Sequence, residues 1–123
     1  MPIQEERLID LFKNLCLINA PALQEAESVA WTKALLQKIG LEVEEDNAGE
    51  VIGGNANNLI ATLPANTPGL PRIYFSAHFD TVEPTEGLVI EERDGVFYSA
   101  SDTILGADDK AGMAPIIEAV QCL

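Results

Sequence analysis

The chain has 123 residues, of which 47% are hydrophobic and 22% charged. That is one domain's worth, long enough to bury about two thirds of its unfolded surface. Twenty acidic residues against seven basic ones leave a net charge of −13, which repels phosphate backbones and anionic lipid and argues against nucleic-acid and membrane partners. Met1–Glu6 shows no signal-peptide pattern, and no apolar run reaches the length of a membrane span. Cys16 and Cys122 stand far apart at no metal-ligating spacing, so both read as buried thiols. A reducing, cytoplasmic setting is the expectation.

In chain order, Leu8, Leu11, Phe12 and Leu15 recur at helical spacing behind an acidic first turn, and Pro21 stops any continuation. A second helix is predicted over about Leu23 to Ile39, with Val29, Thr32, Leu36 and Ile39 on one face and Gly40 as its terminating glycine. Leu41-Glu42-Val43-Glu44 alternates as a half-exposed strand. Asp46 to Asn58 is rich in glycine and asparagine and reads as loop. Its Gly53-Gly54 lacks the following lysine of a phosphate cradle and reads as a turn.

Asn58 to Leu63 is predicted as a strand, followed by a proline-punctuated connection from Pro64 to Pro71. Arg93-Asp94-Gly95 between Leu88–Glu92 and Val96–Ser99 is a hairpin signal. A last helix carries Met113, Ile116, Ile117 and Val120 on one face, with Pro115 tolerable only in its first turn. It runs to Val120-Gln121-Cys122-Leu123 without glycine or polar tail, as a cut through a longer chain would.

Two stretches carry candidate chemistry. Ile73-Tyr74-Phe75-Ser76-Ala77 is an apolar run that leads into His78-Phe79-Asp80 and reads as a buried strand delivering side chains at its end. Positions two apart share a strand face, so His78 and Asp80 point the same way with Cα atoms roughly 6.5 Å apart, two strand rises. A metal-ligating imidazole needs such a partner to fix its tautomer. The second stretch, Leu105-Gly106-Ala107-Asp108-Asp109-Lys110-Ala111-Gly112, puts carboxylates at a loop-to-helix junction. A hydrolytic site with two divalent ions needs imidazole nitrogen and a carboxylate able to bridge them. His78 can supply the first, and Asp108 or Asp109 the second. Each stretch also has a plainer reading, as a core histidine and a helix cap.

Ser76-Ala77-His78-Phe79-Asp80-Thr81-Val82, followed by Thr103-Ile104-Leu105-Gly106-Ala107-Asp108-Asp109-Lys110-Ala111-Gly112, resembles the peptidase T group of dinuclear zinc metallopeptidases. Carboxypeptidase G-type enzymes, aminoacylases and succinyl-diaminopimelate desuccinylase share that superfamily. Gly53-Gly54-Asn55 and Asn58 to Leu63 resemble the same group, so the likeness covers essentially the whole chain. It implies a three-layer α/β/α catalytic domain, of which residues 1–123 are the N-terminal part with a mixed central sheet. It makes His78 a zinc ligand, Asp80 the catalytic carboxylate that orients His78, and Asp108 the bridge between two zinc ions, with a cis bond to Asp109 after it.

The implied activity is that of a tripeptide aminopeptidase, cleaving short peptides with a metal-activated water. The family's glutamate base, its other ligands and the smaller lid and dimerisation domain come later in such chains, so this chain alone is expected to be inactive, and a homodimer is expected only of the full-length protein. The competing expectations are a deacylase of N-acyl amino acids and a non-catalytic truncated chain.

Overall fold

The computed structural model describes residues 1–123 and contains four helices and four short strands in the order ααβαβββα. The first helix, α1 (Glu5–Leu17), buries Leu11, Leu15 and Cys16. The second, α2 (Ala26–Lys38), buries Ser28, Val29, Thr32 and Leu36. It starts later than its pattern predicts because Leu23 takes a left-handed φ of 69°, a conformation incompatible with a helix. Gly40 follows it at φ 98°, which suits a residue without a Cβ.

Strand β1 (Glu42–Glu45) pairs antiparallel with β2 (Leu59–Thr62), in register Glu42↔Thr62 to Glu45↔Leu59. Between them the stretch expected to be loop contains a one-turn helix, α3 (Ala48–Ile52), capped by Gly53 at φ 78°. Local side chains hold this excursion shut. Asp46 Oδ1 accepts from the backbone N–H groups of Ala48 and Asn58 at 3.0 Å each, and Asn57 Oδ1 accepts from Gly49 N–H at 2.9 Å. Gly49 is buried with its α-carbon against the Ala56 carbonyl, where a Cβ has no room.

The hairpin forms as predicted. Strands β3 (Ile90–Arg93) and β4 (Val96–Ser99) pair antiparallel across Asp94 and Gly95, whose φ values of 52° and 77° are those of a two-residue turn matched to strand twist.

The α/β class holds, but the sheet is divided into two separate antiparallel pairs. The mixed central sheet does not form within these residues. Ile73, Tyr74 and Phe75, expected as its buried strand, belong to no ladder and are 76%, 82% and 64% exposed. The physical reason is the lack of a partner, because an apolar run becomes a buried strand only when another strand satisfies its backbone.

The core sits elsewhere. Leu11, Leu15, Leu36, Leu41, Met113, Ala114 and Ile117 form one cluster between α1, α2 and the last helix, α4 (Ala107–Cys122). Arg7 on α1 clamps Glu118 on α4 through two hydrogen bonds of 2.7 and 2.9 Å, and Gln4 N–H donates to the same carboxylate at 2.8 Å. Glu118 is 1% exposed, and the Arg7 hydrogen bond holds its carboxyl at about 2, well below the usual range, against the opposing effect of burial. Asp108 and Asp109 depart from helical φ and ψ, so the regular part of α4 begins near Lys110. Pro115 therefore lies beyond the first turn, contrary to expectation. It is exposed, as is Ala111, whose carbonyl it leaves without an intrahelical donor. No helix is long and apolar enough to cross a membrane.

Candidate metal-ligand site

The two stretches singled out by sequence meet. His78 Nδ1 lies 3.0 Å from the Asp80 carbonyl oxygen and 3.1 Å from Asp80 Oδ1, while Nε2 lies 3.1 Å from Asp108 Oδ1. The ring thus bridges Asp80 behind it and Asp108 in front. Burial pulls the imidazole pKa down, but the hydrogen bonds and charges of Asp108 and Asp80 outweigh it, and the net shift is upward. His78 is half exposed and the Asp108 side chain is 92% exposed, so both remain open to a ligand from solvent.

Backbone geometry on both sides produces this meeting. Beyond Asp80, Thr81 N–H donates to the Ala20 carbonyl at 3.0 Å and forms an isolated parallel bridge with Pro21. Thr85 N–H donates to Asn19 Oδ1 at 2.8 Å. These bonds tie the segment after His78 to the connection between α1 and α2.

On the other side, Gly106 precedes Ala107 at φ 73°, and a Cβ there would lie 3.0 Å from the Thr81 methyl and 3.1 Å from the Thr85 methyl. The missing side chain lets the turn before Asp108 close onto the segment after Asp80. The Asp108–Asp109 peptide bond is cis, as the resemblance implied. The Asp109 carboxylate folds over Gly112, occupying the place of its absent Cβ. That leaves Asp108, rather than Asp109, facing the imidazole.

Sequence reasoning passed over Lys110. Its side chain is 1% exposed, and its ammonium donates to the Phe79 carbonyl. Burial lowers its pKa, while Cys16, Asp80, Glu25 and Asp109 oppose that effect. Cys16 is a free thiol buried on α1, and burial pushes its pKa up to about 11 although Lys110 works against that. A lysine flanked by two carboxylates on one side and small residues on the other offered no signal of burial, because charged residues ordinarily point to water.

The donor set fits part of a metal centre. Two ligand atoms at about 2.0–2.1 Å from a tetrahedral zinc ion stand about 3.3 Å apart, close to the 3.1 Å between His78 Nε2 and Asp108 Oδ1. A complete site takes four ligands, and nowhere in the 123 residues are three or more histidine, cysteine, aspartate or glutamate side chains arranged so that together they could hold a metal ion. Asp80 lies at Nδ1, on the side of the ring away from the Nε2–Asp108 approach.

No protein-family model matches the chain. Among solved structures, aminopeptidase PepT from Bacillus cereus ATCC 10987 is 42% identical with a TM-score of 0.93, covering 97% of this chain and 32% of its own. A tripeptidase from Staphylococcus aureus is 37% identical with a TM-score of 0.91 and the same two coverages. Among curated proteins, the uncharacterized protein YqjE of Bacillus subtilis is 38% identical over 121 residues, which is 98% of this chain and 32% of that protein. Peptidase T of Clostridium botulinum is 26% identical over 153 aligned positions, covering 94% of this chain and 38% of the relative. The chain spans about a third of the length of the relatives it matches. In sequence and in fold, over nearly its whole length, it is peptidase T-like.

Proposed function

We propose that this chain contributes the His78–Asp108 half of the metal site of a zinc-dependent exopeptidase of the tripeptide aminopeptidase kind. The observation that carries the reading is the 3.1 Å approach of His78 Nε2 to Asp108 Oδ1 with Asp80 behind the ring. Its occurrence in a chain 42% identical to an aminopeptidase supplies the reaction class.

His78 and Asp108 would hold the metal, with Asp108 shared between two ions. Bound there, the metal would supply Lewis-acid polarisation of a peptide carbonyl and a nucleophile at neutral pH. The chain's own residues prepare for this. Asp80 takes the Nδ1 proton in a hydrogen bond and so keeps the Nε2 lone pair directed at the ligand position. Asp108 presents an exposed carboxylate oxygen, acceptor-only when ionised, to the same position. Short peptides are the proposed substrate. A general base and the remaining ligands are required from outside these 123 residues, so the chain alone is expected to turn over nothing.

The test is a chimera in which this chain replaces the matched third of Bacillus cereus PepT. Release of the N-terminal residue from a tripeptide, abolished by His78→Ala and by Asp108→Ala, is the expected result. A folded, zinc-loaded chimera that instead cleaves only N-acyl amino acids, or that cleaves nothing, would sink the reading.

A further inference from the structure

We propose that Lys110 is a positioning residue, whose buried ammonium grips the Phe79–Asp80 peptide and thereby sets the spacing between His78 and Asp108. The inference rests on the reading of those two residues as metal ligands.

Lys110 lies two positions after Asp108, at the start of the regular part of α4. Its ammonium donates to the carbonyl of Phe79, the residue between His78 and Asp80. One side chain therefore spans the two segments that carry the ligands. The Phe79–Asp80 peptide fixes where the Asp80 backbone runs. The Asp80 carbonyl and carboxylate in turn hold His78 Nδ1 at 3.0 and 3.1 Å, and the ring carries that placement through to Nε2. A shift of the gripped peptide thus moves the imidazole relative to Asp108.

The choice of side chain supports a placing role. Lys110 is 1% exposed, and burying an ammonium costs free energy that a methionine of similar length would not. If packing were the only requirement, an apolar residue would serve better. The hydrogen bond to Phe79 is what an apolar residue cannot reproduce. The ammonium also lies 6.0 Å from the Phe79 ring centroid, so the same residue is held at both its carbonyl and its side chain. Gly106, closed against the Thr81 and Thr85 methyl groups, brings the two segments together, and Lys110 adds a directional bond between them.

His78 is the sole histidine, so ¹⁵N-histidine labelling of the full chain gives one imidazole whose two ring nitrogens report their own hydrogen bonds. Lys110→Met is compared with Ile117→Val, a core change on the same helix at a side chain that makes no hydrogen bond to either ligand segment, and Zn²⁺ alone is titrated into each. The expected result for Lys110→Met is Zn²⁺ binding weakened about 10–100-fold, the range for loss of a ligand-orienting partner. Its metal-free ring nitrogen shifts should also move toward those of free histidine. Ile117→Val should lower Tm and leave both readouts in place.

If Lys110→Met changes only Tm, like the control, the proposal is overturned. If the unsubstituted chain takes up no Zn²⁺, its two ligands do not hold the ion without the rest of the site, and the metal-free ring shifts decide on Lys110 by themselves. If Lys110→Met does not fold, the unsubstituted chain decides. A slowly exchanging ammonium resonance coupled to the Phe79 carbonyl carbon supports the proposal, and its absence overturns it.

Discussion

Leu15 lies on an amphipathic helix and Tyr74 in a continuous apolar run, yet Leu15 is fully buried and Tyr74 is 82% exposed. Around Leu15, α1 and α4 face each other, Leu36 and Leu41 close the sides, and Arg7 and Glu118 lock the edge. Around Tyr74, no strand of the chain offers a ladder to Ile73–Phe79. Helices satisfy their own backbone and need only an apolar neighbour, whereas a strand must first find a partner for its N–H and C=O groups. The difference shows why hydrophobicity alone does not decide burial.

The sharpest way to test that contrast is to cut into the packed side. Leu15→Ala is expected to cost about 2–5 kcal/mol, the range for a fully buried leucine in a core that collapses incompletely, measured by urea denaturation. Gly49→Ala should be next, at about 1–3 kcal/mol, because its Cβ would drive into the Ala56 carbonyl and overpacking shifts backbone.

Glu118→Gln tests the lock between α1 and α4 through pH. The folded carboxyl titrates at about 2 against an ordinary 4.5 because of the Arg7 hydrogen bond. Its stabilisation is therefore complete above pH 4.5 and lost as pH falls toward 2. Urea midpoints of the two proteins should differ most near pH 6 and converge near pH 2.

At the site between the two regions, Asp108→Asn should lower the His78 pKa, since the Asp108 hydrogen bond and charge help to raise it. An NMR titration of the single imidazole reads this directly, and an unchanged pKa would mean that the two groups do not meet in solution. On the exposed side, Tyr74→Ser and Phe75→Ser should each change stability by less than about 0.5 kcal/mol. They should also reduce self-association by light scattering, because they remove apolar surface open to water. A large loss of stability there would show that the stretch is packed after all, and the comparison would collapse.

Much of the site was readable before any fold. His-x-Asp singles out His78 and Asp80, while the acidic junction leaves Asp108 or Asp109 open, and the structure brings His78, Asp80 and Asp108 together. Lys110 and Gly106 are not singled out, because their roles depend on what lies opposite them. A lysine is buried only if a distant carbonyl waits for it, and a glycine is needed only where two threonine methyls crowd in. The short helix Ala48–Ile52 escaped notice for a related reason, since Asp46 and Asn57 stabilise it through side-chain bonds that composition does not reveal.

The sequence by itself determined what depends on neighbours along the chain. That includes the apolar faces of α1, α2 and α4, the Asp94-Gly95 turn and the residue types able to hold a divalent ion. These follow from periodicity, positive φ and side-chain chemistry, which act over a few residues. Only the tertiary structure decided that Ile73–Phe79 stays unpaired, that Asp108 rather than Asp109 faces His78, and that Lys110 reaches Phe79. Each of these is a contact across some thirty residues or the lack of one, and such contacts are set by which surfaces the packed elements bring together.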